Sequence, residues 1–454
     1  MDTTASLKRT LTLWPVVLFG LAYMAPMTIF TTYGVATQAS RGMLPAAYVV
    51  ALAAMIFTAY SYGQMVKAYP VSGSAYTYTQ KSFNPYLGFL VGWAILMDYL
   101  FLPMINFLVA GLFLSAAFPE VPSSIWIISF ILLITAINII GIRLTTNINM
   151  ILIGYQFLVI ILFAALSLQG IFTGKGTGTL FSSLPFFNPE VSFSYVLAAA
   201  SILCLSFLGF DAVTTLSEET IDSKRNIPRA ILLVTLLGGG LFIFVSYIAH
   251  MVFPNYETFV NPDSAAFEVA AFIGGNVFSA VFLAGMITAT FASGLSSHAS
   301  VARLLYAMGR DNVIPRSVFG FIHSRFQTPV YNVVLVGVFS FSSLFVDLVT
   351  AASFINFGAL VAFTFVNLSV IAHYYVKQQL RSPADTIRFL LLPAVGACFT
   401  LWLWSNLDRH SMMLGAIWAA LGIVYLLYLT KMFKQRPPEL HFEDTEPKSQ
   451  AANL

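Results

Sequence analysis

The chain has 454 residues, of which 58% are hydrophobic and only 9% are charged, and its mean hydropathy is +0.82. A soluble protein of this length needs far more charge to cover its surface, so the composition predicts an integral membrane protein. The two cysteines, Cys204 and Cys398, both lie in apolar runs and offer neither a disulfide framework nor a thiol metal site.

Apolar runs bounded by charges, Gly/Pro clusters or polar loops predict twelve membrane-spanning helices, since a hydrocarbon core of about 30 Å needs roughly 20 apolar residues. They form a single integral domain over residues 1–454. The first helix is expected to be retained, because it lacks a small-residue cleavage site, and the polar tail 434–454 to be disordered. The ninth and tenth helices are close enough to form one buried hairpin that turns at Asp347. The predicted helices lie near residues 13–36, 44–66, 85–117, 124–142, 149–171, 195–217, 229–252, 275–302, 330–346, 350–376, 387–405 and 411–432.

Basic residues are distributed unevenly between the two sides of this predicted bundle. With the N-terminus in the cytoplasm, all of the 22 Lys and Arg residues except Arg41, Lys175 and Arg409 fall in cytoplasmic segments. This bias predicts that both termini are cytoplasmic. The net charge of +3 therefore reflects membrane topology, and the lipid bilayer rather than a nucleic acid is the expected macromolecular environment.

Two of the predicted helices contain residues that interrupt helical structure. Pro26 lies in the middle of the first helix, where a proline usually costs about 3 kcal/mol, and Gly209 lies beside the ionisable Asp211 in the sixth. Transporters built from inverted repeats place interrupted helices at equivalent positions in two halves and bind ligands there. Alone, Pro26 is equally consistent with a simple kink and Gly209 with a close helix contact. Together they predict a binding site at two helix breaks.

Asp98 and Asp211 are the acids predicted to lie within the membrane, where a carboxylate is costly and normally faces a cavity or a partner. A carboxylate balances the charge of an ammonium group, and the neighbouring rings of Tyr99, Phe207 and Phe210 offer cation–π faces. These residues favour a positively charged substrate. The alternatives are that Asp98 makes a structural hydrogen bond to a facing helix, and that Asp211 caps the second half of the sixth helix.

Several segments resemble the amino acid–polyamine–organocation transporter superfamily. They are "PVSGSAYTYTQKSFNPYLGFLVGW" at 70–93, "FLGFDAVTTLSEET" with "DSKRNIPRAI" at 207–231, and "SVARLLYAMGRDNVIPRSVFGFIHSRFQTPVYN" at 300–332. Within the superfamily, "DYLFLPMIN" at 98–106 and "INFGALVAFTFVNLSV" at 355–370 look especially like the bacterial putrescine importers.

This resemblance implies a fold of five helices, five inverted helices and two appended helices. The two repeats would cover residues 13–171 and 195–376, and the appended helices 387–432. The resemblance also implies a secondary transporter of the bacterial inner membrane that imports a small organic amine such as putrescine by alternating access. No cofactor is expected.

The residues at the first break differ from those of amino acid transporters in this superfamily. There the break is glycine-rich, and its bare amides bind the substrate carboxylate. Here proline donates nothing and larger side chains screen the other amides, which favours a substrate without a carboxylate. The related importers carry an acid where this chain has Thr31, so a monoamine, another diamine and a neutral amino acid stay open as alternatives to putrescine. The break consists of five residues: Met24, Ala25, Pro26, Met27 and Thr28.

Asp98, Asp211 and His298 are the candidates for proton coupling, because carboxyl and imidazole groups removed from water can exchange protons near neutral pH. His298 lies near the cytoplasmic end of the eighth helix and is as easily a packing residue. The resemblance favours H⁺ over Na⁺ as the coupling ion. Three serines of the same helix offer oxygens for the alternative, a Na⁺ site: Ser293, Ser296 and Ser297.

Rival functions have weaker support in the sequence. A channel predicts a continuous polar stripe or a ring of charges along facing helices, whereas these polar residues gather at two breaks. A transporter-like sensor needs a signalling domain larger than the tail after Lys434. An enzyme is not expected, because no HExxH, GxSxG, Walker or paired Cys/His motif occurs.

Overall fold

The computed structural model describes residues 10–70, 74–141, 146–217, 219–310, 313–326 and 328–437. This described part is almost entirely helical, and its only β-type contact is an isolated bridge between Leu11 and Thr220. The predicted all-α polytopic class is confirmed. The α-helices are α1 (Leu13–Tyr23), α2 (Thr28–Thr31), α3 (Tyr33–Ala39), α4 (Leu44–Ala68), α5 (Ser74–Ser82), α6 (Pro85–Ala117), α7 (Ser123–Ile140), α8 (Thr146–Phe172), α9 (Phe193–Leu203), α10 (Ser223–Val252), α11 (Ala265–Arg310), α12 (Arg316–Phe319), α13 (Val330–Ser340), α14 (Leu348–Val370), α15 (Pro383–Thr386), α16 (Leu392–Ser405) and α17 (Arg409–Leu429).

The described ranges contain twelve apolar helical segments. Eleven are long and apolar enough to cross a membrane, and the twelfth, Val330–Leu344, is shorter. It is joined to α14 by a tight turn, in which the Asp347 carboxylate accepts a hydrogen bond from the Thr350 amide at 2.8 Å. The predicted number of helices is therefore confirmed, and the predicted turn at Asp347 is present. The two helices that it joins pack mainly against others, α13 against α11 and α7, and α14 against α6 and α16. The tail from residue 438 onward lies outside the described residues, and the division into two inverted repeats stays a prediction.

Several helix boundaries differ from those predicted. The first span continues through α3 to Ala39, α10 begins at Ser223 rather than at 229, and the second half of the sixth span is a 3-10 helix over Asp211–Leu216 instead of an α-helix. The eighth span begins at the break at Gly275 (φ 63°), as predicted, and a short helix from Ala265 precedes it within α11. The Glu268 carboxylate accepts hydrogen bonds from the backbone amides of residues 260 and 261, which fixes the chain where this short helix begins.

The long helix α6 lies at the centre of the bundle and packs against α5, α7, α11, α14 and α17. The contact with α14 is close because Gly358 has no side chain: a Cβ there would lie 2.4 Å from the Ala94 carbonyl oxygen and 3.1 Å from the Asp98 amide nitrogen. Asp98 is thereby placed on α6 at the level of this helix contact.

A pair of tryptophans joins α17 to α6. The Trp93 indole N–H donates to the Trp418 carbonyl at 2.9 Å, and the Trp418 indole N–H donates to the Trp93 carbonyl at 2.8 Å. The two rings stack with their centroids 4.9 Å apart, and Gly422 provides the room. Both indole donors are thus satisfied within an apolar environment, so α17 is held to α6 by polar and stacking contacts together.

Candidate functional site

The first span is interrupted at the predicted place. α1 ends at Tyr23, and residues 24–27, here called the first break, separate it from α2. Ala25 adopts a left-handed conformation (φ 47°), which is uncommon for a residue with a Cβ. The Thr28 amide and hydroxyl both donate to the Ala25 carbonyl, at 2.8 and 2.6 Å, and stabilise this turn.

The sixth span is interrupted at residues 208–210, here called the second break. A 3-10 turn over Cys204–Phe207 leads into extended Leu208 and then into Gly209 with φ 107°, a conformation that favours glycine. Gly209 also lies against the end of α1, since a Cβ there would be 2.5 Å from Cδ1 of Tyr23. The two breaks are therefore in direct contact.

A cavity of about 220 Å³, here called the central cavity, opens beside the two breaks. Its described lining comes from residues 19–31, 102–109 of α6, 153 and 156 of α8, 205 and 208, and 286–300 of α11. The α8 residues lie in the first half of that helix and the α11 residues in the second half of theirs, whereas the α6 residues lie just past its midpoint. Because successive spans alternate in direction, the α8 and α11 residues place the cavity on the side of the breaks where α1 begins.

The opposite end of the central cavity is bounded by packed rings. The Phe30 ring lies 4.8 Å from Phe163 and 4.9 Å from Phe282, measured between centroids, and Phe163 and Phe282 are 6.1 Å apart. All three side chains are fully buried. The helix breaks thus separate an open half of the bundle from a closed half.

The described lining of the central cavity is mostly apolar, and its polar side chains are uncharged. Its polar side chains are hydroxyls and carboxamides, including Thr28, Asn106, Gln156 and Ser296, together with the phenol of Tyr23. Among the described lining residues there is no Asp, Glu, Lys or Arg. Of the predicted substrate-binding residues, the structure brings Met24, Ala25, Met27 and Thr28 to the cavity wall.

Asp211 lies just beyond the second break, where it begins the 3-10 helix. Its carboxylate interacts with backbone amides at Gly209, at Asp211 itself and at Ala212, and with the Tyr62 hydroxyl. This geometry is that of a capping residue, the alternative given above. It does not place the carboxylate in the lining of the central cavity, and the roles of Asp211 in substrate and proton binding stay predictions.

Asp98 and Tyr99 are half-buried on α6 and also lie outside the cavity lining. The Asp98 carboxylate is close enough to Asp211 and to Tyr23 for electrostatic interaction with both, and Tyr99 interacts with the same three groups. Tyr23 therefore lines the central cavity and lies close to this acidic cluster. Sequence reasoning missed Tyr23, although a phenol directly before a helix break was a usable signal.

Phe207 and Phe210 flank the second break but point into the packed core. The Phe207 ring lies 5.6 Å from Phe242 and 6.5 Å from Tyr48, and the Phe210 ring lies 5.2 Å from Phe363. Both side chains are fully buried and neither lines the central cavity. Their cation–π contribution to substrate binding stays a prediction.

His298 packs between α11 and α13. Its Nε2 lies 2.9 Å from the Val333 carbonyl oxygen, and its ring is buried 6.3 Å from Phe107. This position matches the packing role better than a proton relay, which stays a prediction. The three serines on the same helix do line the central cavity, and the Ser297 hydroxyl donates to the Ser293 carbonyl at 2.7 Å.

Two of the three amides of the first break, those of Met24 and Ala25, are engaged within the chain. Met24 N donates to Gly20 O at 3.0 Å, and Ala25 N donates to Ala22 O at 3.1 Å. The Thr28 amide donates to Ala25 O, and Pro26 has no N–H. The row of free donors that would bind a carboxylate is therefore reduced at this break, as its sequence predicts.

Comparison with known proteins identifies the family to which this bundle belongs. A family model described as amino acid permease matches residues 15–434. The chain belongs to the amino acid permease family. This permease is a multi-pass membrane transporter and not an enzyme, and the resemblance inferred from its sequence is confirmed.

The permease is similar along nearly its whole length to curated bacterial transporters. It is 44% identical to the low-affinity putrescine importer PlaP of Escherichia coli, over 96% of this chain and 97% of PlaP. It is 29% identical to the methylthioribose transporter of Bacillus subtilis, over 94% of each chain. It is 26% identical to the branched-chain amino acid permease BcaP of Bacillus subtilis, over 94% of this chain and 95% of BcaP.

Proposed function

We propose that this permease imports a small organic amine, with putrescine as the first candidate, across the bacterial inner membrane. The observation that carries the proposal is its 44% identity to a putrescine importer over nearly the full length of both chains. The site supports it in two ways. The breaks adjoin a cavity large enough for a small solute, and two carboxylates lie close to Tyr23 in its lining.

The charge distribution of the site favours a cation. Asp98 and Asp211 interact with each other, and neither has a basic side chain among its described charged neighbours. Two neighbouring carboxylates create a negative potential in a low-dielectric region, which an ammonium group would neutralise. In this proposal Tyr23 and Met27 line the path, and Asp98 provides the principal charge for the substrate.

The arrangement of the bundle supports alternating access with cytoplasmic termini. The central cavity extends toward the end that carries most of the basic residues, which is the cytoplasmic end under the positive-inside rule. The ring cluster of Phe30, Phe163 and Phe282 closes the other end. In this proposal the described structure is the inward-facing form, and the outward-facing form requires these rings to separate.

Uptake into proteoliposomes tests the proposed substrate. Purified protein should give saturable uptake of labelled putrescine, and unlabelled cadaverine should compete better than butylamine or a neutral amino acid. Protein-free liposomes are the control for passive entry. A protein that accumulates a branched-chain amino acid but not putrescine would show the second candidate function.

We expect uptake to be coupled to protons. With an imposed pH gradient, acidic outside, labelled putrescine should accumulate above its external concentration, and a protonophore should abolish the accumulation while leaving equilibration intact. The physical reason is that the acidic cluster can bind a proton together with the substrate. If accumulation requires a Na⁺ gradient and the protonophore has no effect, Na⁺ is the coupling ion and the serines of α11 are its candidate site.

The second candidate, a neutral amino acid permease, is favoured by the uncharged lining of the central cavity. The first break offers a way to separate the candidates, because Pro26→Gly adds one backbone donor and relaxes the turn. Under the amine proposal, we expect leucine or alanine to inhibit putrescine uptake by this variant. A stable variant without such inhibition would show that Pro26 does not exclude carboxylates, and strong inhibition of the unmodified protein would favour the amino acid permease.

A further inference from the structure

One carboxamide in the central cavity has an acceptor without a partner. Gln156 lies in the first half of α8 and its side chain is only 3% exposed, yet it lines the central cavity. Its Oε1 accepts no hydrogen bond from the described part of the chain. Burial of an unpaired amide oxygen is unfavourable, so it calls for a partner that the protein itself does not provide.

Gln156 lies on α8 about one helical turn from the level of the first break. Val159 lies about one helical turn further along α8, and Gly285 on α11 faces it: a Cβ at Gly285 would lie 3.0 Å from Val159 and 3.3 Å from the Met27 methyl. The rise per helical turn is about 5.4 Å. Gln156 is therefore displaced from the level of Met27 by about one turn, in the direction in which the central cavity extends.

A second carboxamide lines the same cavity. The Asn106 Nδ2 donates to the Leu102 carbonyl at 2.8 Å, an intrahelical bond that uses one of its two N–H donors, and Oδ1 is the acceptor of this side chain. Gln156 and Asn106 thus bring amide oxygens from α8 and α6 to the lining of a cavity that has no carboxylate among its described residues.

These oxygens suit one end of a substrate that carries two ammonium groups. The carboxylates of Asp98 and Asp211 lie close to Tyr23 at one side of the cavity. A second ammonium placed in the uncharged part of the cavity needs hydrogen-bond acceptors, and a carbonyl oxygen accepts from an ammonium without adding a further charge.

We propose that Gln156, assisted by Asn106, binds the second ammonium of a diamine and thereby determines the selectivity of this permease for diamines over monoamines. The assignment rests on the proposed amine import and adds to it a specificity residue on α8. It requires a ligand that carries two ammonium groups separated by a few methylene groups.

The test compares Gln156→Leu with Gln169→Leu in proteoliposomes. Gln169 lies on the same helix but is exposed, so its substitution controls for the loss of an amide from α8. The measured quantity is the ratio of the inhibition constant of butylamine to the KM of putrescine. We expect this ratio to fall about tenfold in Gln156→Leu, through a higher KM for putrescine, and to stay unchanged in Gln169→Leu.

A second variant covers the case in which Gln156→Leu is poorly folded. Gln156→Glu keeps the shape of the side chain and adds a negative charge, so the same ratio should rise above that of the unmodified protein. If both Gln156 variants transport amines with an unchanged ratio, or if they weaken putrescine and butylamine equally, the assignment of Gln156 is wrong. The absence of any saturable amine uptake by the unmodified protein would instead contradict the proposed function.

Discussion

Replacement of Asp98 by asparagine should abolish saturable putrescine uptake while the protein stays in the membrane. The lining of the central cavity carries no negative charge among its described residues, so the carboxylate close to Tyr23 is the principal group that can neutralise a bound ammonium. Removal of one partner of a buried ion pair costs about 3–5 kcal/mol, which corresponds to a loss in kcat/KM of about a hundredfold or more. Initial rates of labelled putrescine uptake in proteoliposomes measure this loss.

Glu120→Gln is the matched control for Asp98→Asn. It also removes one carboxylate, but Glu120 is exposed in the connection between α6 and α7. Uptake by this variant should equal that of the unmodified protein. If Asp98→Asn transports at the normal rate, Asp98 has the structural role that its sequence also allowed, and the substrate charge must be balanced elsewhere.

Replacement of Gly209 by alanine should disrupt the second break and lower both stability and transport. The backbone at Gly209 (φ 107°) is strained for any residue with a Cβ, and that atom would lie 2.5 Å from the Tyr23 ring. Such a conformation costs about 1–3 kcal/mol before the clash is included, so we expect uptake to fall by about tenfold or more. Because Tyr23 is part of the cavity wall, its displacement would alter the site directly.

Gly240→Ala is the control for this substitution. Gly240 lies within α10, and a Cβ there would have no neighbour within 4 Å. Alanine stabilises a helix interior relative to glycine by about 0.5–1 kcal/mol, so this variant should unfold at the same or a slightly higher temperature. The unfolding temperature in detergent and the rate of uptake are measured for both variants and compared. Equal behaviour of both would show that the second break tolerates an ordinary backbone.

The elements that could be predicted from the sequence are those with local causes. Runs of apolar residues specify spans whatever their neighbours, and Pro26 and Gly209 alter the backbone at their own positions. The helix count and both breaks therefore agree with the structure. The short helix before Gly275 was not predicted, because a glycine in sequence does not distinguish a helix start from an interruption between two helices.

The candidate site was harder to predict because it depends on which helices face each other. Asp98 and Asp211 were recognised by their cost in a membrane, and capping by Asp211 was among the predicted alternatives. The position of Tyr23, close to both acids and in the lining of the cavity, was not predicted. Gln156 was not predicted because the site was predicted from ionisable side chains, and Gln156 is neutral. A neutral amide in an apolar helix is also expensive in lipid, and that signal was present in the sequence.

The reciprocal bonds between Trp93 and Trp418 limit how the bundle can rearrange during a transport cycle. Separation of these residues would leave two indole donors unpaired in lipid and would also lose their stacking, worth about 0.5–1.5 kcal/mol by itself. We therefore expect α17 and α6 to move together. Helices that move relative to α6 are expected among those that end at a break, and α1 and α9 are the two that do so in the described part of the chain.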